Sequence, residues 1–224
     1  MLTAFLLLAA LGPQSQPNAL TQWERSQGFE LLFDGSTLRG WVGWRRRDVP
    51  ANWRVEDSSI ACVPQGGPGD IRYMDAFADF DLRFDWKIQP GGNSGVFFRA
   101  SEDHQVPWYT APEYQVLDDW KDGGKVSQYT AGANYDMHAP IAQVSRPPGE
   151  WNRSRIVAKG AHVEHWLNGV KIVDYDLGSP DWLDRFQRSK YRNMTDYGKR
   201  NSGFIVLQDH GSRVWYRSIR IRKL

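Results

Sequence analysis

One cysteine, Cys62, in 224 residues excludes an internal disulfide and a zinc–thiolate cluster. A charge excess is also missing. Lys and Arg number 28 against 26 Asp and Glu, leaving a net charge of +2, which offers no bulk electrostatic reason to bind nucleic acid or an anionic lipid surface. No apolar run reaches the ~18 residues of a membrane span, and the mean hydropathy is −0.59. The sequence contains no phosphate loop, dinucleotide fingerprint, nucleophile-elbow serine or H-E-x-x-H helix, so kinases, dehydrogenases and zinc proteases drop out. Internal repeats and low-complexity blocks are absent too.

What is present is an ordinary globular composition, 41% hydrophobic and 24% charged, with 11 Trp and 21 Gly. Met1–Leu11 reads MLTAFLLLAAL, too short to span a bilayer and similar to a signal-peptide h-region without the usual basic start. Gly12-Pro13 ends it and a polar spacer follows. The expected organisation is therefore a leader and spacer over residues 1–20, export to the periplasm or medium, and one domain over 21–224.

Short apolar or alternating runs, each bounded by Gly, Pro, Asn or Asp, fill that domain. Residues 80–88 alternate cleanly: Phe80, Leu82, Phe84, Trp86 and Ile88 share one side, Asp81, Arg83, Asp85 and Lys87 the other. Further strands are expected at 28–33, 53–55, 59–63, 95–100, 113–117, 155–159, 162–167, 171–176, 204–208 and 214–222, with Asn168-Gly169 as a tight hairpin. One helix is expected, opened by Ser179-Pro180-Asp181. Three long aperiodic stretches, 101–112, 120–145 and 184–202, read as functional or lid-like loops. About ten strands with almost no helix predict an all-β antiparallel sandwich.

Seven segments, in order, carry a specific resemblance. They are Leu32-Phe33-Asp34-Gly35 with Gly40-Trp41, Gly91-Gly92-Asn93-Ser94-Gly95-Val96-Phe97-Phe98-Arg99, Pro112-Glu113-Tyr114-Gln115-Val116-Leu117-Asp118-Asp119, Ala131-Gly132-Ala133 with Tyr135-Asp136, Gly149-Glu150-Trp151-Asn152, Val163-Glu164-His165-Trp166-Leu167-Asn168-Gly169, and Leu207-Gln208-Asp209-His210-Gly211. Together they resemble the bacterial 3-keto-disaccharide hydrolase family over roughly 28–224. The resemblance implies a concanavalin A-like jelly-roll sandwich and hydrolysis or elimination of glycosides already oxidised at C3. A non-catalytic, lectin-like carbohydrate-binding module is the alternative.

On a strand at 113–117, Glu113 and Gln115 share one face. An amide where a second acid would stand departs from the two-carboxylate geometry of retaining glycoside hydrolysis. A 3-keto sugar needs only one base for the acidic C2 hydrogen and a donor or cation for the C3 oxygen. Glu113, His138 and His210 are the catalytic candidates. Arg99, Gln115, Gln208, Asn93, Trp108 and Tyr109 are the substrate-binding candidates, Arg99 being expected to share the face of Phe97 and the aromatics to offer flat faces to sugar C–H bonds. A divalent metal ion is a candidate cofactor, with Asp118 and Asp119 as possible calcium ligands against the plainer reading of two solvated turn acids. His165 is expected to face the core, and Cys62 to be a small buried hydrophobe. Oligomeric state is not legible.

Overall fold

Each of the five apolar residues that alternate over 80–88 is fully buried, and the strand they define is the centre of the larger of two sheets. The computed structural model describes residues 16–64 and 69–224; the signal-peptide expectation for Met1–Leu11 lies outside the described residues. A short helix, α1 (Gln22–Ser26), comes first, then β1 (Glu30–Leu31), β2 (Trp41–Gly43), β3 (Trp53–Glu56), β4 (Ser59–Cys62), β5 (Ile71–Phe77), β6 (Phe80–Ile88), β7 (Asn93–Ala100) and β8 (Glu113–Leu117). After a long connection come β9 (Asn152–Lys159), β10 (His162–Leu167), β11 (Val170–Asp176), α2 (Pro180–Arg188), β12 (Gly203–Leu207) and β13 (Val214–Lys223).

The larger sheet runs β11-β10-β9-β6-β13-β4-β3, with β1 also paired to β13; the smaller runs β2-β5-β12-β7-β8. All pairings are antiparallel. This is the jelly-roll sandwich that the resemblance implies. Inward side chains from both sheets form one core. Phe84 of the larger sheet meets Tyr114 of the smaller edge to face at 5.5 Å, and the Ser154 hydroxyl bonds both Trp86 Nε1 and the Tyr114 hydroxyl at 2.8 Å. Burying rings of this size contributes roughly 1.5–3 kcal/mol each, and Ser154 satisfies the polar atoms that come with them. Tyr114 is thereby fixed inward, which turns its neighbours Glu113 and Gln115 outward.

Three elements depart from the expectation. Helix α1 opens with a capping box, Thr21 accepting from the backbone of Glu24 and Glu24 from that of Thr21. Strands β2 and β5 were not expected. In β5, four steps oppose two of β12, so a bulge breaks the alternation that would have revealed the strand. A second bulge changes Arg99. Three steps of β7 oppose two of β12, and Arg99 takes φ 54°. Its side chain therefore leaves the face of Phe97. It is 2% exposed and donates to Ala78 O (2.9 Å), Gly160 O (2.8 Å) and Asp79 Oδ1 (3.0 Å). Arg99 ties the β5–β6 and β9–β10 turns together, so the expected substrate contact is replaced by a structural one.

Truncating a buried, fully bonded guanidinium strands its acceptors. Arg99→Ala is expected to cost about 3 kcal/mol in urea unfolding while leaving turnover per folded molecule close to wild type. A variant of normal stability but lost activity would return Arg99 to the site.

Candidate active site on the outer face of the smaller sheet

The face of the smaller sheet turned away from the core is built in rows. Val206 of β12 pairs with Phe97 of β7, and Phe97 with Glu113 of β8. The next row holds Gln208, whose backbone N donates to Gly95 O at 2.9 Å, then Gly95, then Gln115 opposite it. Asp70, just before β5, stands beyond Gln208 and accepts from Asp209 N at 2.8 Å. Phe97, Val206, Ala100, Ala111 and Trp44 make the apolar part of this face, with Trp108 packed against them.

Gly95 decides where Glu113 goes. A methyl group built on Gly95 would collide with Glu113 Oε1, so the carboxyl leans across the position where another residue would have a side chain. It is buried, and no hydrogen bond reaches it from the described residues. Burial drives its pKa up to about 8; Lys190 pulls it down, and Asp70 adds to the rise. Asp70 is itself raised to about 7 by burial, its bond from Asp209 N working the other way. Gln115 Nε2 donates to Asn93 Oδ1 at 3.2 Å. The amide oxygens of Gln115 and Gln208 are buried without a partner among the described residues, two open acceptors beside the acid.

Lys190 escaped the sequence reading because it lies in an aperiodic stretch, on a 3-10 turn (Lys190–Asn193) after α2. Its backbone N donates to Asp136 Oδ2 at 2.6 Å. Its ammonium lies 4.2 Å from the Tyr135 ring, 5.0 Å from Tyr191 and 5.8 Å from Trp108. Desolvation lowers its pKa, partly offset by Glu113 and then Asp136. Asp70 was also missed, because the strand it precedes, β5, was not expected.

The expected trio of Glu113, His138 and His210 is not assembled. His138 belongs to a turn closed by Asn134 N to His138 O, in the segment that pairs with the free edge of β8. Its ring stacks on Tyr175 at 4.5 Å, bonds Asn134 Nδ2 at 3.1 Å, and approaches Asp181 at 3.3 Å. It lines a separate cleft of about 380 Å³ with Asp181, Arg185 and Ile141, which Glu113 does not line. Burial lowers its pKa to about 4. His210 is exposed on the turn after β12. Tyr109 stacks on His104 at 3.9 Å, whereas Trp108 reaches the site's apolar floor. His165 is buried and bonds Gly132 O, as expected of a core histidine.

Asp118 and Asp119, the expected calcium ligands, are engaged by protein donors. Asp118 accepts from the backbone N of Gly91 and Trp120, and Asp119 from Ala131 N and the Ser145 hydroxyl. His162, Glu164 and Asp174 come within ligating range of one another on the opposite sheet, but Lys171 Nζ already bonds both carboxylates.

The family model for 3-keto-alpha-glucoside-1,2-lyase-like domains matches residues 28–222. The chain belongs to that family. It is 34% identical over 230 residues to a 3-keto-disaccharide hydrolase of Bacteroides thetaiotaomicron, covering 89% of this chain and 79% of the relative. Two glycosyl hydrolase candidates of known structure from Parabacteroides distasonis are also similar. One is 34% identical with a TM-score of 0.85 over 93% of this chain and all of the other; the second is 29% identical with a TM-score of 0.68 over 88% and 99%. These relationships place the chain among carbohydrate hydrolases.

The pKa of Glu113 makes stability pH-dependent. A carboxyl raised from 4.5 to about 8 keeps its proton longer when folded than when unfolded. Stability is therefore full below about pH 4.5 and falls as pH rises toward 8. Glu113→Gln is expected to unfold at higher urea than wild type at pH 8, with the gap closing near pH 4.5. An equal gap at both would contradict the buried, uncharged carboxyl.

Proposed function

We propose that the chain is an exported enzyme that cleaves 3-keto-glycosides by base-assisted elimination followed by hydration. The observation that carries this reading is a lone carboxyl, Glu113, buried between amides and facing an ammonium, with Gln115 where a two-carboxylate hydrolase would place an acid on the same strand. The raised pKa makes ionised Glu113 a stronger base than a solvated glutamate. It takes the C2 proton, and the electron pair passes into the C3 carbonyl, where Lys190 is suited to stabilise the oxygen. The enolate then expels the C1 oxygen, which leaves protonated by the acid form of Glu113 or by water. Water adds back across C1 and C2, giving the free 3-keto sugar. Gln115, Gln208 and Asn93 accept or donate to sugar hydroxyls, and Trp108 offers a ring face. The relatives' names, 3-keto-disaccharide hydrolase and 3-keto-alpha-glucoside-1,2-lyase-like, support the substrate class. A divalent cation at the C3 oxygen would add the same kind of charge as Lys190.

Asp70 favours a second reading. It is a half-buried carboxyl on the same face, two strands from Gly95, or roughly 10 Å between backbones. That leaves room for a water between two acids, as in inverting hydrolysis of an unoxidised glycoside.

Incubation with a 3-keto-glucoside and its unoxidised parent separates the readings. Turnover of the keto sugar alone, reduced at least 100-fold in Glu113→Gln, is expected; turnover of the parent, abolished in Asp70→Asn, would select the second. Binding of both sugars without turnover would leave a lectin. The pH profile tests Lys190. Activity should rise as Glu113 ionises near pH 8, and Lys190→Met should move that rise to higher pH, because it removes the charge that holds the carboxyl pKa down. An unmoved limb would sink the pairing.

A further inference from the structure

The outward face of the larger sheet, on the far side of the sandwich from Glu113, carries a dense basic and aromatic field. Arg153, Asp85 and Arg217 lie in one cross-strand row; Arg155, Arg83 and Arg220 lie in the next, extended by Trp166. Like charges directly opposite one another weaken a ladder, so three adjacent arginines are a cost the fold carries. Their acids meet only part of it. Asp81 takes Arg83, Arg155 and Arg222, Asp85 takes Arg217, and Glu24 takes Arg220. Among the described residues Arg153 and Lys87 have no ion-pair partner. Six arginines and one lysine against three acids leave an excess of four positive charges, in a chain whose total is +2; the rest of the molecule is net negative. Glu56 and Glu164, at the margins, are met by Arg213 and Lys171.

Indoles frame the field. Arg217 stacks on Trp151 at 3.8 Å, Lys87 lies 4.5 Å from Trp215 and 5.1 Å from Trp151, and Arg155 lies 5.4 Å from Trp166. A cleft of about 330 Å³ runs between Trp166 and the arginines, and a second of about 170 Å³ continues past Arg153, Arg217 and Arg220.

We propose that this face binds an acidic polysaccharide of the polyuronate type, independently of the catalytic chemistry. Guanidinium forks match carboxylates in a bidentate way, and Arg153, a cation without a partner, lines both clefts. One charge per ring fits an excess of four spread over four successive rows about 7 Å apart. Duplex DNA, with a charge every ~1.7 Å, calls for a denser field. Binding here would hold the enzyme to a polymer while the opposite face works on a smaller sugar.

Affinity electrophoresis of the full chain through gels containing polygalacturonate, with dextran as the neutral control, tests the proposal. Retardation by polygalacturonate alone is expected, weakening as salt rises. It should fall about tenfold in Lys87→Glu/Arg153→Glu, a loss of ~1.4 kcal/mol, and persist in Glu113→Gln. Arg153→Ala, which removes an unpaired cation without reversing charge, should show a smaller loss at an unchanged unfolding midpoint. No retardation at low salt, retardation lost in Glu113→Gln, or tighter binding of a sulfated glycan or duplex DNA than of polygalacturonate would each overturn it.

Discussion

The candidate site depends on a missing side chain. Across β12, β7 and β8 the outward row reads Gln208, Gly95, Gln115, and only glycine in the middle leaves room for the carboxyl of Glu113 to fold over the sheet. Any larger residue there would push the acid back toward solvent, where it would be an ordinary glutamate. Burial without hydrogen-bond donors keeps it protonated near neutrality, and one cation at a distance stops it from becoming inert. The sandwich fixes the acid from below: Tyr114, one residue on, is anchored through Ser154 to the other sheet, so β8 cannot rotate to relieve the buried charge.

The cation comes from elsewhere in the chain. Lys190 follows α2, whose first turn is capped by Ser179 and whose Trp182 stacks on Phe186 and Tyr197. Asp136 fixes the Lys190 backbone, and Asp136 belongs to the segment that pairs with β8 itself. The same loop that covers the open edge of the site strand therefore positions the ammonium above it. Long loops here act as structural parts of the site.

The architecture was legible where period two held, as in Phe80–Ile88, and where turn chemistry was sharp, as at Asn168-Gly169. It failed where bulges broke the period. The bulge in β5 hid a whole strand and with it Asp70. One left-handed residue turned Arg99 from a predicted sugar contact into a tie between turns. Glu113, Gln115 and Gln208 could be placed on one face because strand alternation is local. His138 could not, since a five-residue turn folds it around the sheet edge. Lys190 had no local signal at all; its importance arises from what packs beneath it.

Net charge conceals as much as it reveals. A total of +2 argues against polyanion binding only if the charges are mixed evenly. Strand alternation does not mix them. It sorts residues by face, and β6, β9 and β13 send every cation but Lys223 to the same side. The apolar core requires that alternation but does not dictate the sign of the residues facing out, and uncharged threonines there would avoid the repulsion between Arg155, Arg83 and Arg220. An arrangement that costs stability and is only partly neutralised by Asp81, Asp85 and Glu24 is one whose compensation comes from outside the chain.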